Sequence, residues 1–290
     1  RPDGLAAFMR QRGFVVDCVD NDVEHGGGDH DDLLNDAFFT KLFKQASDGT
    51  YSSIFAAPPC STYSVSRFFD ASTHDGERGP PVVRDRANIL GLLDVPAGHR
   101  RELARANEIT RRVTLILAAA HRAGSEIAIE NPADRGDPAH QLLFQFPEHG
   151  PIWLDPHMLN LKKQCHLEDA TFAQCMLGAE SQKYTTFWFS AGLSPSFRQL
   201  RQLVCSHAPG THGQAAGGVK SPSGWNSAPT AAYPPDLNLF IAEGFTACAA
   251  QDSSTQPHTE PLEAAAPRAT TPPAPAAAPA AAAAQEQPVA

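Results

Sequence analysis

YSSIFAAPPC, residues 51–60, sets a strand-forming run directly against two prolines and a cysteine. Proline has no backbone N–H and fixes φ, so Pro58-Pro59 ends strand pairing and holds the next residue rigidly. The stretch reads as a strand over 51–57 that delivers Cys60 to the mouth of a sheet. There a thiol is either packed and inert or presented for chemistry. The polar Ser61-Thr62-Tyr63-Ser64 that follows favours presentation.

Working outward, the neighbouring segments alternate helix and strand signals. GLAAFMRQR (4–12) reads as a short helix closed by Gly13, and FVVDCVD (14–20) as a strand. Residues 36–46 carry Phe38, Phe39, Leu42 and Phe43 at helical spacing. Residues 102–122 read as a long helix stopped by Gly124, and EIAIE (126–130) as a strand running into Asn131-Pro132. Strands alternating with helices predict an α/β fold with a doubly wound parallel sheet. Such sheets bind ligands beyond the carboxyl ends of their strands, so Asp20, Cys60 and Glu130 are expected along one rim.

Composition sets the limits. There is no run of 18 apolar residues and no secretory leader, which predicts a soluble intracellular chain without choosing nucleus or cytoplasm. Six scattered cysteines (18, 60, 165, 175, 205, 248) do not resemble a disulfide framework, so reduced thiols are expected. The net charge of −9 is unevenly spread. Eight acids between Asp17 and Asp36, and a net −3 over the last 40 residues, turn −9 into +2 elsewhere. Arg100, Arg101, Arg105, Arg111, Arg112 and Arg122 form a candidate basic face. The Ala/Pro-rich segment 251–290 has too little large apolar surface to offset its ordering entropy and is expected to be a disordered tail.

With PPC at 58–60 and ENP at 130–132, residues 1–245 resemble the DNA cytosine-5 methyltransferases, closest to compact methylase-like proteins of phages, algae and mobile elements. The resemblance implies a Rossmann-like, class I S-adenosylmethionine-dependent fold over 1–250. Residues 1–132 would form the cofactor and catalytic half, and 133–250 a smaller, irregular substrate-side half. It further implies methyl transfer to C5 of a cytosine flipped out of DNA. Cys60 would be the thiolate that adds to C6. Glu130 would meet N3, with a raised pKa if buried. Asp20 (or Asp22) would contact the ribose and Asp32 the adenine amino group, with Asp3, Gly4 and Pro58 completing the cofactor site. Pro59, Ser64, Asn131 and Lys183 would face the substrate. Lys183 stands where the family has an arginine, whose bidentate contact lysine cannot reproduce. Arg84 and Arg86 fall in the region of the loop that closes over DNA.

The chain also departs from the pattern. It opens at RPDGLAAF, which matches the end of the family's first glycine turn and the helix after it, with no strand before. That predicts poor cofactor binding and keeps open a nucleic-acid-binding relative without catalysis. RNA cytosine is a further alternative, because the same motif pair serves that substrate. Amino-directed methylation is disfavoured by Cys60 where an aromatic is required. Cys205, His207 and His212, with Cys165, His166 and Cys175 earlier, are zinc-type donors. There is no CxxC, and C-x-H-x4-H is not a standard finger, so no metal is assigned and loop histidines are expected. Trp153, Trp188 and Trp225 are expected to pack rather than stack on bases.

Overall fold

The structure, a computed structural model, describes residues 4–23, 26–69, 80–208, 210–212, 220–221, 224–225 and 232–255. Local signals produce most of the expected elements. Helix α1 (Leu5–Gln11) is followed by Gly13 at φ +87°. Helix α2 (Asp36–Ser47) starts at Asn35, whose side chain accepts from the N–H groups of Ala37 and Phe38. Strand β1 (Ser53–Ala56) stops ahead of the two prolines. Helix α3 (Ala97–Arg122) begins five residues before the expected start, after Pro96, and ends ahead of Gly124 at φ +94°. Strand β2 (Glu126–Pro132) follows at once.

Strands β3 (Glu168–Ala173) and β4 (Tyr184–Phe189) come from beyond residue 132 and join the same sheet, in the order β1-β2-β4-β3. β1 and β2 are parallel, but β4 runs antiparallel to both β2 and β3. The sheet is therefore mixed rather than parallel throughout. The chain enters β4 through a short connection from β3, which enforces the antiparallel pairing.

Helices cover both faces. Ile127 and Ile129 of β2, Trp188 of β4 and Ile54 of β1 pack with α2, α3 and α4 (Pro156–Gln164). The alternate residues Ala128, Phe187, Phe189 and Phe55 pack with α1, α5 (Ser194–Phe197) and α6 (Pro235–Thr255). This period-two division between two buried faces explains why the strands are apolar on both sides. Phe187 is fully buried between the rings of Phe55, Phe172 and Phe197. Trp153 and Trp188 stack at 4.7 Å in the other layer, as core residues. The side chain of Trp225, in the small hairpin β5 (Lys220–Ser221) and β6 (Gly224–Trp225), lies outside the described ones.

Two expectations need correction. FVVDCVD is not a strand: residues 14–20 carry no regular secondary structure and pair with nothing in the sheet, and Val15 is 99% exposed. A strand needs a ladder partner, and among the described residues none lies along the outer edge of β1. The segment is held instead by side chains, Arg10 donating to the Val16 carbonyl and Tyr51 to Asp17. The tail boundary also moves, because α6 continues to Thr255; residues 256–290 lie outside the described ones.

Candidate active site

The loop after β1 is built by its own backbone and pinned from several sides. Past the buried Pro58 and exposed Pro59, the Cys60 carbonyl accepts from the Tyr63 N–H at 2.9 Å. Asn131, at the end of β2, donates from Nδ2 to the Pro58 carbonyl at 3.0 Å. Arg67 is buried, donates from Nε to the Ser61 carbonyl at 2.7 Å, and pairs with Glu102 of α3. The imidazole of His149, wholly buried, lies 2.9 Å from the Tyr63 carbonyl through Nε2, while Nδ1 accepts from the Arg135 N–H. Nε2 must therefore carry the proton. Ser64 caps the next turn, its hydroxyl accepting from the Ser66 N–H.

Glu130 lies one residue beyond the β1–β2 pairing, and Cys60 four beyond it. The sheet thus brings the two expected catalytic residues to one rim. Glu130 is 5% exposed. Its Oε2 accepts from the Tyr233 hydroxyl at 2.8 Å, and Lys183 Nζ stands 4.0 Å from Oε1. Oε1 has no hydrogen-bond partner among the described residues. A buried carboxylate with one oxygen held and one unmatched is set up to receive a donor. Lys183 also lies 6.0 Å from the centre of the Tyr233 ring, so acid, cation and phenol form one cluster.

Cys60 is half-buried. Burial pushes its thiol up from the ordinary value of 9.0; the Lys183 ammonium pulls it down and the Glu130 charge pushes it up again. Burial thus favours the protonated thiol, and Lys183 is the group that favours ionisation. Burial, and then the charge of Glu130, push the Tyr233 phenol well above 10.0, so it remains a donor.

Of the expected cofactor residues, Pro58 lies at this rim, while Asp20 and Asp32 make their bonds elsewhere. Asp20 sits on the unpaired segment, is exposed, and accepts from the Asp22 N–H. Asp32 accepts from the Leu34 N–H and pairs with Arg105. Gly4 is the N-cap of α1, Pro58 is buried beneath Asn131, and Asp3 lies outside the described residues. A cleft of about 290 Å³ opens between Val16–Val19 and α2, but no expected cofactor residue lines it.

Arg84 is not available to a nucleic acid. It is 1% exposed, its guanidinium lies 3.7 Å from the centre of the Tyr63 ring, and Nη2 donates to the Thr62 hydroxyl. Arg84 instead packs against the loop after β1, through Tyr63 and Thr62. Arg86 is tied to both oxygens of Asp134 and is partly exposed. Three of the six arginines of the expected basic face pair with the chain's own acids: Arg105 with Asp32, Arg111 with Glu108, and Arg112 with Glu108 and Asp36. No described helix is long and apolar enough to cross a membrane.

Tyr233, Arg67 and His149 were not singled out from the sequence. Tyr233 precedes Pro234-Pro235 at the head of α6, a double proline like that of PPC. Arg67 and His149 carried no signal beyond their polarity. No protein-family model, curated protein or solved structure matches the chain, so the family reading rests on its own residues.

Proposed function

We propose that the chain acts covalently on cytosine in nucleic acid, methylating C5 through a Cys60 adduct. The observation that carries this reading is the pairing of Cys60 and Glu130 at the ends of adjacent parallel strands, with Asn131 fixing the Pro58 carbonyl between them. C5 of cytosine is a poor nucleophile. Loss of the Cys60 proton and attack of sulfur on C6 form an S–C6 bond and move the C5–C6 π pair through the ring toward N3. Glu130, held by Tyr233 through one oxygen, meets N3 with the other; in its protonated form it supplies the proton that N3 acquires. C5 is then an enamine carbon. After C5 gains its substituent and loses its proton, the electrons return and expel the thiolate.

The resemblance implies S-adenosylmethionine as methyl donor and a flipped base in DNA as substrate. Since Asp20 and Asp32 are turned onto their own chain, a second reading keeps base recognition at this rim without methyl transfer.

The test is DNA carrying 5-fluorocytosine, incubated with the full chain and S-adenosylmethionine, with an RNA of the same sequence in parallel. Fluorine at C5 cannot leave as a proton, so a methylating enzyme remains attached to its target. A denaturation-resistant adduct on DNA, lost in Cys60→Ser, is expected. An adduct on RNA alone would replace the substrate. Folded protein that binds DNA with no adduct on either would favour the second reading.

A further inference from the structure

Cys175, Cys205, His207 and His212 come from two separated segments, yet their ligand atoms all lie within 4.8 Å of one another. Cys175 is in the helical turn Gln174–Leu177 directly after β3, and the other three follow the turn Arg198–Gln202. Cys205 Sγ is 3.6 Å from His207 Nδ1 and 3.4 Å from His212 Nε2. In a tetrahedral site with Zn–S of about 2.3 Å and Zn–N of about 2.0–2.1 Å, sulfur and nitrogen stand about 3.5–3.6 Å apart and two sulfurs about 3.8 Å. Both measured separations match the edge of such a tetrahedron. The widest pair needs about 1 Å of contraction to reach it.

We infer that these four side chains form a structural zinc site of the Cys2His2 kind. Two thiolates and two imidazoles in tetrahedral array select zinc over the harder divalent ions, which take oxygen. Four protein ligands leave no open position, so the ion is structural rather than catalytic. The sequence reading had assigned Cys205, His207 and His212 to an ordinary loop because three donors at that spacing make no finger. The fold supplies the fourth.

The surroundings are already ordered around the ligands. The Ala173 N–H donates to the Leu203 carbonyl at 2.8 Å, and the Cys205 N–H to the Tyr184 hydroxyl at 3.3 Å. Gln174 binds the Lys183 carbonyl through its N–H and the Thr185 hydroxyl through its side chain. A zinc ion here would staple the loop 203–212 to the β3–β4 hairpin, whose leading edge carries Lys183.

Metal content of the full chain, followed by exchange for Co(II), tests the inference. The expected result is one zinc per chain and, after exchange, the thiolate-to-metal charge-transfer and strong ligand-field absorption of tetrahedral cobalt. Cys175→Ser and Cys205→Ser should each weaken binding by at least about tenfold, since a ligand matters no less than its outer-shell support. Cys18→Ser, at an exposed cysteine outside the cluster, should leave it unchanged. If Cys175→Ser does not fold, His207→Ala and His212→Ala carry the test, both being in the loop. A folded chain that takes up no metal, cobalt binding undiminished in these variants, or a metal-free chain with Cys175 and Cys205 joined as a disulfide would each overturn the site.

Discussion

Tyr233→Phe removes one oxygen atom and almost no volume, so its cost isolates the hydrogen bond to Glu130. That bond is 2.8 Å long and ends on a carboxylate only 5% exposed. Hydrogen bonds to charged groups contribute about 1.5–3 kcal/mol, and truncating one partner leaves the other desolvated. Oε1 offers no relief, because its nearest described cation, Lys183, stands 4.0 Å away. A charge pair at 4 Å interacts by about 4 kcal/mol at an effective dielectric near 20, before the desolvation that offsets much of it. The expected loss is about 1.5–3 kcal/mol in urea unfolding, or about 3–12 °C in Tm for a domain of this size. Entry of a water where the hydroxyl stood would bring the cost to the lower end of that range. Coupling is read from the cycle with Glu130→Gln, with an expected interaction of about 0.5–3 kcal/mol. A single-variant loss below about 0.5 kcal/mol, together with additivity in the cycle, would refute the buried cluster.

Two further outcomes rest on titration. Alkylation of Cys60 by iodoacetamide should rise with pH and reach its midpoint above 9.0; at pH 8, Lys183→Met should slow it and Glu130→Gln should speed it. The opposite signs are the diagnostic, and two changes in the same direction would contradict the electrostatics. Glu168, hydrogen-bonded by Arg198 and Ser194, is held down to about 2 from 4.5. Because its folded value is depressed, its contribution is present above pH 4.5 and is lost as pH falls toward 2. Glu168→Gln should flatten the pH dependence of the unfolding free energy over that interval by less than about 1 kcal/mol, the range of exposed ion pairs; an unchanged slope would show that the pair does not contribute.

The rim architecture has a consequence for how the loop after β1 keeps its shape. Asn131, Arg67 and His149 each bond a carbonyl between Pro58 and Tyr63, while Arg84 backs the Tyr63 ring. The prolines remove donors from that stretch, so its carbonyls need partners from elsewhere. Two side chains distant in sequence, Asn131 and His149, and the nearer Arg67 provide them. Cys60 is aimed by this scaffold rather than by the prolines alone.

Elements with local causes were readable in the sequence itself. Phe38, Phe39, Leu42 and Phe43 set one face of α2, Gly124 stops α3, and Pro58-Pro59 stop β1, each acting within a few residues. The convergence of Cys60 and Glu130 was legible too, because both follow strands of one sheet. Partnership across the chain was not legible. FVVDCVD carries the composition of a strand, but pairing requires a neighbour that no residue within it can specify. The sense of β4 follows from its short connection to β3, and its place between β2 and β3 is something its own residues do not specify. Arg84 looked like a surface cation until Tyr63 and Thr62 enclosed it, and three of four zinc donors looked like loop residues until β3 carried Cys175 to them. Local conformation follows from side-chain sterics and backbone hydrogen bonding over a few residues. Pairing, burial and ligand geometry depend on contacts between distant segments, and these arise only when the chain closes on itself.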